Sequence, residues 1–185
     1  LILLLFTKVF NVFFFVPLFL TILFFSGCDQ QSSLPVEVNS NSGNDDSFLA
    51  KHYNLPPATL AELQLAKIST AKYNNLQNAI ADGYTNIDVV VPHMGHHYMK
   101  AEYLNETFEI DKPEILVYAP NPANGQMQLV AVEYAIPNTE PQPEGFTGNY
   151  DVWDNNAGFG LWLLHAWVWE YNPIGVFAPM NPDVE

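Results

Sequence analysis

The pattern of apolar and polar positions changes character twice before a folded domain begins. Residues 1–25 are almost uninterrupted apolar side chains, with Lys8 the one charge. The run over 9–25 sits at the short edge of what spans a bilayer. It gives way at Phe25-Ser26-Gly27-Cys28 to D-Q-Q-S-S-L-P-V-E-V-N-S-N-S-G-N-D-D-S over 29–47. A stretch of that composition has little to bury and reads as a flexible tether. From residue 48 onward apolar positions recur at regular spacing, so 48–185 is expected to be one domain with its own core.

The spacing predicts one long helix over 57–82. Leu65, Ile68, Leu76 and Ile80 recur near the helical period, with Tyr73 and Ala79 beside them, and the stripe reads as core-facing. Thr59 and Glu62 form the T-x-x-E pattern of a capping box behind two prolines, and Gly83 is a natural stop. After Gly83 the period shortens to that of strands. Residues 87–91 are a β-branched run ended by Pro92, and 97–104 read as a second strand. Residues 114–118 and 127–136 read as a hairpin about P-N-P-A-N-G, with Asn124-Gly125 as its turn. Residues 160–170 read as a long strand with aromatic bulk on both faces. The intervening 137–159 is rich in Pro, Asn, Gly and acids, and so long a loop is a lid, a binding loop or disorder. The expected class is α+β, one long N-terminal helix packed on a curved, mostly antiparallel sheet, with a cone-like α+β barrel as one version.

Charge removes several functions. The chain carries a formal −14 and contains no arginine, the usual bidentate partner of phosphate and carboxylate. No nucleic-acid partner fits such a balance, and a cation or metal ion suits the field better. Equally, the acids serve solubility alone. Cys28 is the single cysteine and Ser69 the single serine from residue 48 on. Thiolate metal sites, internal disulfides and Ser- or Cys-based acyl transfer are therefore excluded from the domain. No Walker loop, G-x-G-x-x-G or H-E-x-x-H is present.

What remains is histidine and carboxylate. V-P-H-M-G-H-H-Y over 91–98 holds His93, His96 and His97, three of the chain's 5 histidines. In a turn their rings share a face about 5–6 Å apart and can close on one ion. In an extended strand His96 and His97 face opposite sides and His93 lies about 13 Å from His97. Pro92 and Gly95 favour the turn, so a transition-metal site is one reading and a single buried, hydrogen-bonded imidazole the other. His165 sits mid-strand beside Leu161, Leu163, Trp167 and Trp169, as a satisfied core residue or as a ligand if that face meets the 93–97 turn. Glu133 interrupts L-V-A-V-E-Y-A-I; its face-mates Leu129, Ala131 and Ala135 are the less apolar set, which points it to solvent. Buried, it would need a cation or hydrogen bonds, and a histidine-bound metal would supply the first. Glu102 is a weaker candidate. Asp151 and Asp154 in D-V-W-D-N-N could bind calcium, at a spacing matching no calcium loop.

Two resemblances follow. Phe25-Ser26-Gly27-Cys28 after an apolar run resembles the bacterial lipoprotein precursor signal, with small residues at Ser26 and Gly27 and Phe25 in place of the usual leucine. That family is cut before the cysteine, which implies a signal peptide over 1–27, lipidation at Cys28 and a lipid-anchored domain in the bacterial cell envelope, facing the periplasm or exterior; an uncleaved signal anchor is the alternative. H-M-G-x-H-Y, then V-E-Y, then L-H-x-W-x-W with N-P-x-G-x-F after it, resembles a set of uncharacterised exported bacterial proteins over 70–184. It implies that His93, His97, Glu133 and His165 belong together and implies no activity.

Three functions are compatible with these residues. The first is a membrane-anchored protein in which His93, His96 or His97, His165 and Glu133 bind zinc, copper or iron. The second is a non-catalytic envelope module whose aromatic surface and 137–159 loop hold a small ligand or a protein partner. The third is a metal-free enzyme using a His/Glu acid-base pair. No catalytic residue is assigned.

Overall fold

A computed structural model describes residues 46–139 and 141–185, which fall in one compact unit. The expected signal segment 1–27, Cys28 and most of the expected tether lie outside the described residues. The elements are α1 (Asp46–His52), α2 (Pro57–Thr70) and α3 (Leu76–Ala81), then β1 (Thr85–Val91), β2 (Gly95–Met99), β3 (Ile115–Pro120), β4 (Met127–Pro137) and β5 (Leu161–Ala166). No helix among the described residues is long and apolar enough to cross a membrane.

The expected long N-terminal helix on a curved sheet or cone-like barrel does not form. Thr70 ends α2 by turning its hydroxyl back to the Ala66 carbonyl at 2.7 Å. A 3-10 turn over Ala71–Asn74 follows, and Asn75 leaves the helical region, its side chain accepting from the Gln77 N–H to start α3. Asparagine competes with the helix for its own backbone, and here it wins.

The buried helical stripe also differs from the expected one. Leu65, Ile68 and Ile80 are exposed, while Leu63, Ala66, Thr70, Tyr73 and Ala79 face the sheet. Both sets keep helical spacing, and packing against the sheet selects the second. Lys67, on the buried side, lies 4.7 Å from the Phe48 ring centroid and 5.0 Å from that of Trp169. Nor is Thr59-x-x-Glu62 a capping box, since the N-cap is Pro56. Thr59 donates to the Thr147 carbonyl at 2.7 Å, and the Glu62 carboxylate accepts from Thr147 N–H and hydroxyl at 2.6 Å each. The pair clamps the long loop onto α2.

The sheet is a meander in the order β1-β2-β3-β4-β5, antiparallel throughout. The β3–β4 hairpin turns at the expected P-N-P-A-N-G, where Gly125 takes φ +70°. Two bulges shape the sheet. In β1, Ile87, Asp88 and Val89 stand opposite His97 alone, with Asp88 at φ +55°. In β4, Val130 is extra, because Val117 pairs with Ala131 and Tyr118 with Leu129. That inserted residue resets the alternation. Leu129 joins Leu116, Tyr118, Val132 and Tyr134 on the helix side, while Val130, Ala131 and Ala135 go to the other face with Glu133's strand positions.

The far face is covered by the last part of the chain. β5 stops at Ala166, shorter than expected, and Trp167 receives the tail: its N–H donates to the Val176 carbonyl and its indole N–H to that of Ala178. Trp169 turns to the other side and donates to Thr70 Oγ1. Within the 141–159 loop, Asp154 pairs with Leu163 through both backbone groups, at 2.8 and 2.7 Å, extending the β5 edge.

Candidate metal centre

His97, Glu133 and His165 come from three strands. Met99, Ile115, Glu133 and His165 form one row across β2 to β5, and His97 stands two residues off that row on the same face. Glu133 Oε2 lies 3.6 Å from His97 Nε2, and Glu133 Oε1 lies 3.5 Å from His165 Nε2. All three donor atoms fall within 4.8 Å of one another. The two imidazoles meet edge to face, 88° apart in plane. Glu133 is 2% exposed and each of the two histidines 4%.

Each side chain is held from behind. His97 Nδ1 lies 3.0 Å from the Val89 carbonyl, which the β1 bulge carries to it. A carbonyl only accepts, so Nδ1 bears the proton and Nε2 presents its lone pair to Glu133. Gly95, two residues before, takes φ +116°, and a Cβ there would meet the Tyr118 carbonyl oxygen at 2.4 Å. Glycine is therefore required for β2 to lie against β3 at this point. His165 stacks on Trp167 at 6.1 Å, and its Nε2 has no hydrogen-bond partner.

Burial penalises charge on every member. It pushes Glu133 up to about 8, helped by the nearby Asp154 and Glu114 carboxylates. It pushes His165 down to about 3, with His97 adding to the effect, and lowers His97 despite the Val89 hydrogen bond. The close His–Glu approaches are thus not ion pairs of imidazolium and carboxylate. They bring the Nε2 atoms of two neutral imidazoles against the two oxygens of one carboxyl group. A single proton satisfies one of these two contacts, whereas a divalent cation held by the three side chains would satisfy both. Donors bound to one ion at about 2.0–2.1 Å in a tetrahedral arrangement sit roughly 3.3–3.4 Å apart, close to the two separations seen. This buried triad can hold a metal ion.

The triad floors a cavity of about 400 Å³. β1 contributes Ile87, Val89 and Val91, and β5 contributes Leu161 and Leu163. The long loop supplies Val152, Asp154, Ala157 and Phe159, so the stretch expected as lid or binding loop is a wall of this chamber. An ion held by these three donors would have coordination positions left for a further ligand.

The other expected ligands are elsewhere. His93 is exposed on the β1–β2 turn at φ +64°, its Nδ1 3.0 Å from the Val184 carbonyl and its own carbonyl accepting from Asn181 N–H. It pins the tail. His96 pairs with Val90 and Tyr118 and, next to His97 on one strand, faces the opposite way. The 93–97 cluster therefore contributes one member to the buried triad, not three. Glu102 is exposed on a 3-10 turn over Ala101–Tyr103. Asp151 and Asp154 form no donor cluster, and among the described residues His97, Glu133 and His165 are the one group of its kind. Glu133 is buried, against the solvent-facing expectation from its neighbours. Asp154, weighed only for calcium, and the Val89 carbonyl escaped notice; a backbone group carries no residue-type signal.

Comparison of the chain with protein-family models, curated proteins and solved structures finds no match.

Proposed function

We propose that the protein is a metal-dependent enzyme in which His97, Glu133 and His165 hold one zinc or iron(II) ion at the floor of the apolar cavity. The observation that carries this is the approach of two buried imidazole Nε2 atoms to the two oxygens of one buried carboxyl group. Two histidines and a carboxylate with open positions are the donor set of catalytic zinc and of non-haem iron(II), and the lack of thiolate argues against a copper(I) carrier. Bound there, such an ion polarises a coordinated oxygen as a Lewis acid. The chain supplies the rest. Val89 fixes the His97 tautomer, Trp167 holds the His165 ring, and the loop wall excludes water.

Metal analysis of untagged protein tests this. The expected result is about one equivalent of zinc or iron per chain, and a thermal shift on adding the ion to stripped protein. Less than about 0.1 equivalent with no shift removes the proposal. A metal-free acid-base enzyme is the second reading, favoured by a Glu133 carboxyl pushed up to about 8 and aimed at two imidazoles. Activity indifferent to chelators would select it.

The export reading is a separate proposal resting on Phe25-Ser26-Gly27-Cys28. Labelled palmitate should enter the chain in a bacterial host and fail to enter Cys28→Ser; equal labelling of both would end it.

A further inference from the structure

Deepening the metal-centre reading and resting on it, we infer that the cavity takes a small, largely apolar molecule without an anionic group. An alcohol, ketone or arene fits; a carboxylate or phosphate ester does not.

The walls set the apolar part. Met94, Met99, Ile115, Leu161 and Leu163 line the interior. Ile87, Val152 and Phe159 line the cavity and also stay exposed, 60% for Phe159, which places apolar surface at its opening. Exposed apolar side chains gathered at the mouth of an apolar chamber mark a ligand entrance. About 400 Å³ is near the lower end for small-molecule sites and has room for roughly a dozen or more non-hydrogen atoms.

Charge sets the rest. None of the lining residues is a lysine, and the chain has no arginine. No fork of donors is available for a carboxylate or phosphate away from the metal. Besides the triad, the one ionisable side chain in the lining is Asp154. Its position is set by the two backbone bonds to Leu163, and its Oδ1 accepts from the Asn156 N–H at 2.8 Å. A divalent ion with Glu133 and Asp154 sums to zero. A neutral ligand keeps that balance; an anion leaves an uncompensated negative charge inside an apolar chamber, which is costly. Asp154 is thereby assigned as a specificity residue, excluding anions.

Three probes with one ring system separate the possibilities: 1-naphthalenemethanol, 1-naphthylmethylamine and 1-naphthoate, titrated calorimetrically into zinc-loaded protein. The alcohol is expected to bind, with naphthoate at least about tenfold weaker. Asp154→Asn should retain zinc and bring naphthoate to within about threefold of the alcohol. Ala157→Trp, an exposed-loop change that fills the chamber from its mouth, should retain zinc and abolish binding of all three. Naphthoate binding as tightly as the alcohol, or no probe binding to protein that holds stoichiometric zinc, overturns the inference and leaves the metal reading standing. If zinc fails to bind, the metal reading falls and the inference that rests on it falls with it.

Discussion

On the side of the sheet turned to the helices, Leu116, Tyr118, Val132, Tyr134 and Leu164 pack against Leu63, Ala66 and Tyr73. The phenols end on backbone carbonyls: Tyr84 on Pro113, Tyr118 on Tyr73 and Tyr134 on Ile110, at 2.7, 2.6 and 2.8 Å. On the other side Ile115, Val117, Ala131, Ala135 and Leu163 make a smaller core around a chamber, and the buried polar groups there face one another. On the first face the hydroxyls of Tyr84, Tyr118 and Tyr134 each find a backbone acceptor, which stabilises the fold. The second leaves an imidazole nitrogen unanswered and holds a carboxyl group where ionisation is disfavoured. Groups arranged at a cost to the metal-free fold point to a ligand that repays them.

Removing a donor should separate the faces most sharply. Glu133→Gln or His165→Ala is expected to lower zinc affinity by more than about a hundredfold, beyond what loss of a supporting residue costs. Metal-free Glu133→Gln should be no less stable than wild type, because a buried ionisable group is replaced by a neutral one of the same shape. Zinc titration and urea unfolding of the stripped variant check both, and a large drop in metal-free stability would erase the distinction. The reverse experiment is Leu116→Ala on the helix side. It should cost about 2–5 kcal/mol while zinc stoichiometry persists.

The pH dependence sharpens the same contrast. Burial pushes Glu133 up to about 8 and Glu114 up to about 7, against 4.5 for an unperturbed glutamate. The folded state then keeps protons that the unfolded chain has released, so this contribution is full below pH 4.5 and is lost as pH rises through 7–8. His165, pushed down to about 3 from 6.5, acts from the other side, its contribution lost as pH falls below 6.5. Chelator-treated protein should therefore be most stable between roughly pH 4.5 and 6.5 and lose on the order of 1 kcal/mol per pH unit toward 8. Saturating zinc should flatten the upper slope, because the ion binds the ionised carboxylate. Urea midpoints at pH 5.5 and 8, with and without chelator, decide it; a rise toward pH 8 in chelator contradicts the burial argument.

The smallest effect is at the loop clamp. Thr147→Val removes the hydroxyl bonded to Glu62 and should cost about 1 kcal/mol. Binding of an apolar probe should weaken and zinc affinity stay unchanged, since the clamp holds the chamber's wall and not its floor.

Local signals were legible where the chain answers to its neighbours. Asn124-Gly125 marked a hairpin that formed, and strand runs were visible near each of β1 to β5. Where two local readings competed, packing chose. Leu63 and Ala66 won the helix face over Leu65 and Ile68, and Asn75 broke one helix into two. The T-x-x-E motif was drawn away from the helix end because Thr147, 85 residues from Glu62, offered its donors. Glu133 keeps Ala131 and Ala135 as face-mates, and that weakly apolar face is buried because the 152–159 loop and the tail cover it.

Residue types alone determined the chemistry on offer: no thiolate, one serine from residue 48 on, no arginine, and imidazoles and carboxylates as the remaining donors. They also placed His165 and Glu133 on strands. Which donors meet was decided by the meander, because His97 and Glu133 are brought together by strand register, and register depends on bulges that no local window contains. The adjacent His93 and His96 were separated from His97 for the same reason. On a strand, neighbours in sequence face opposite ways, and neighbours in space come from other strands.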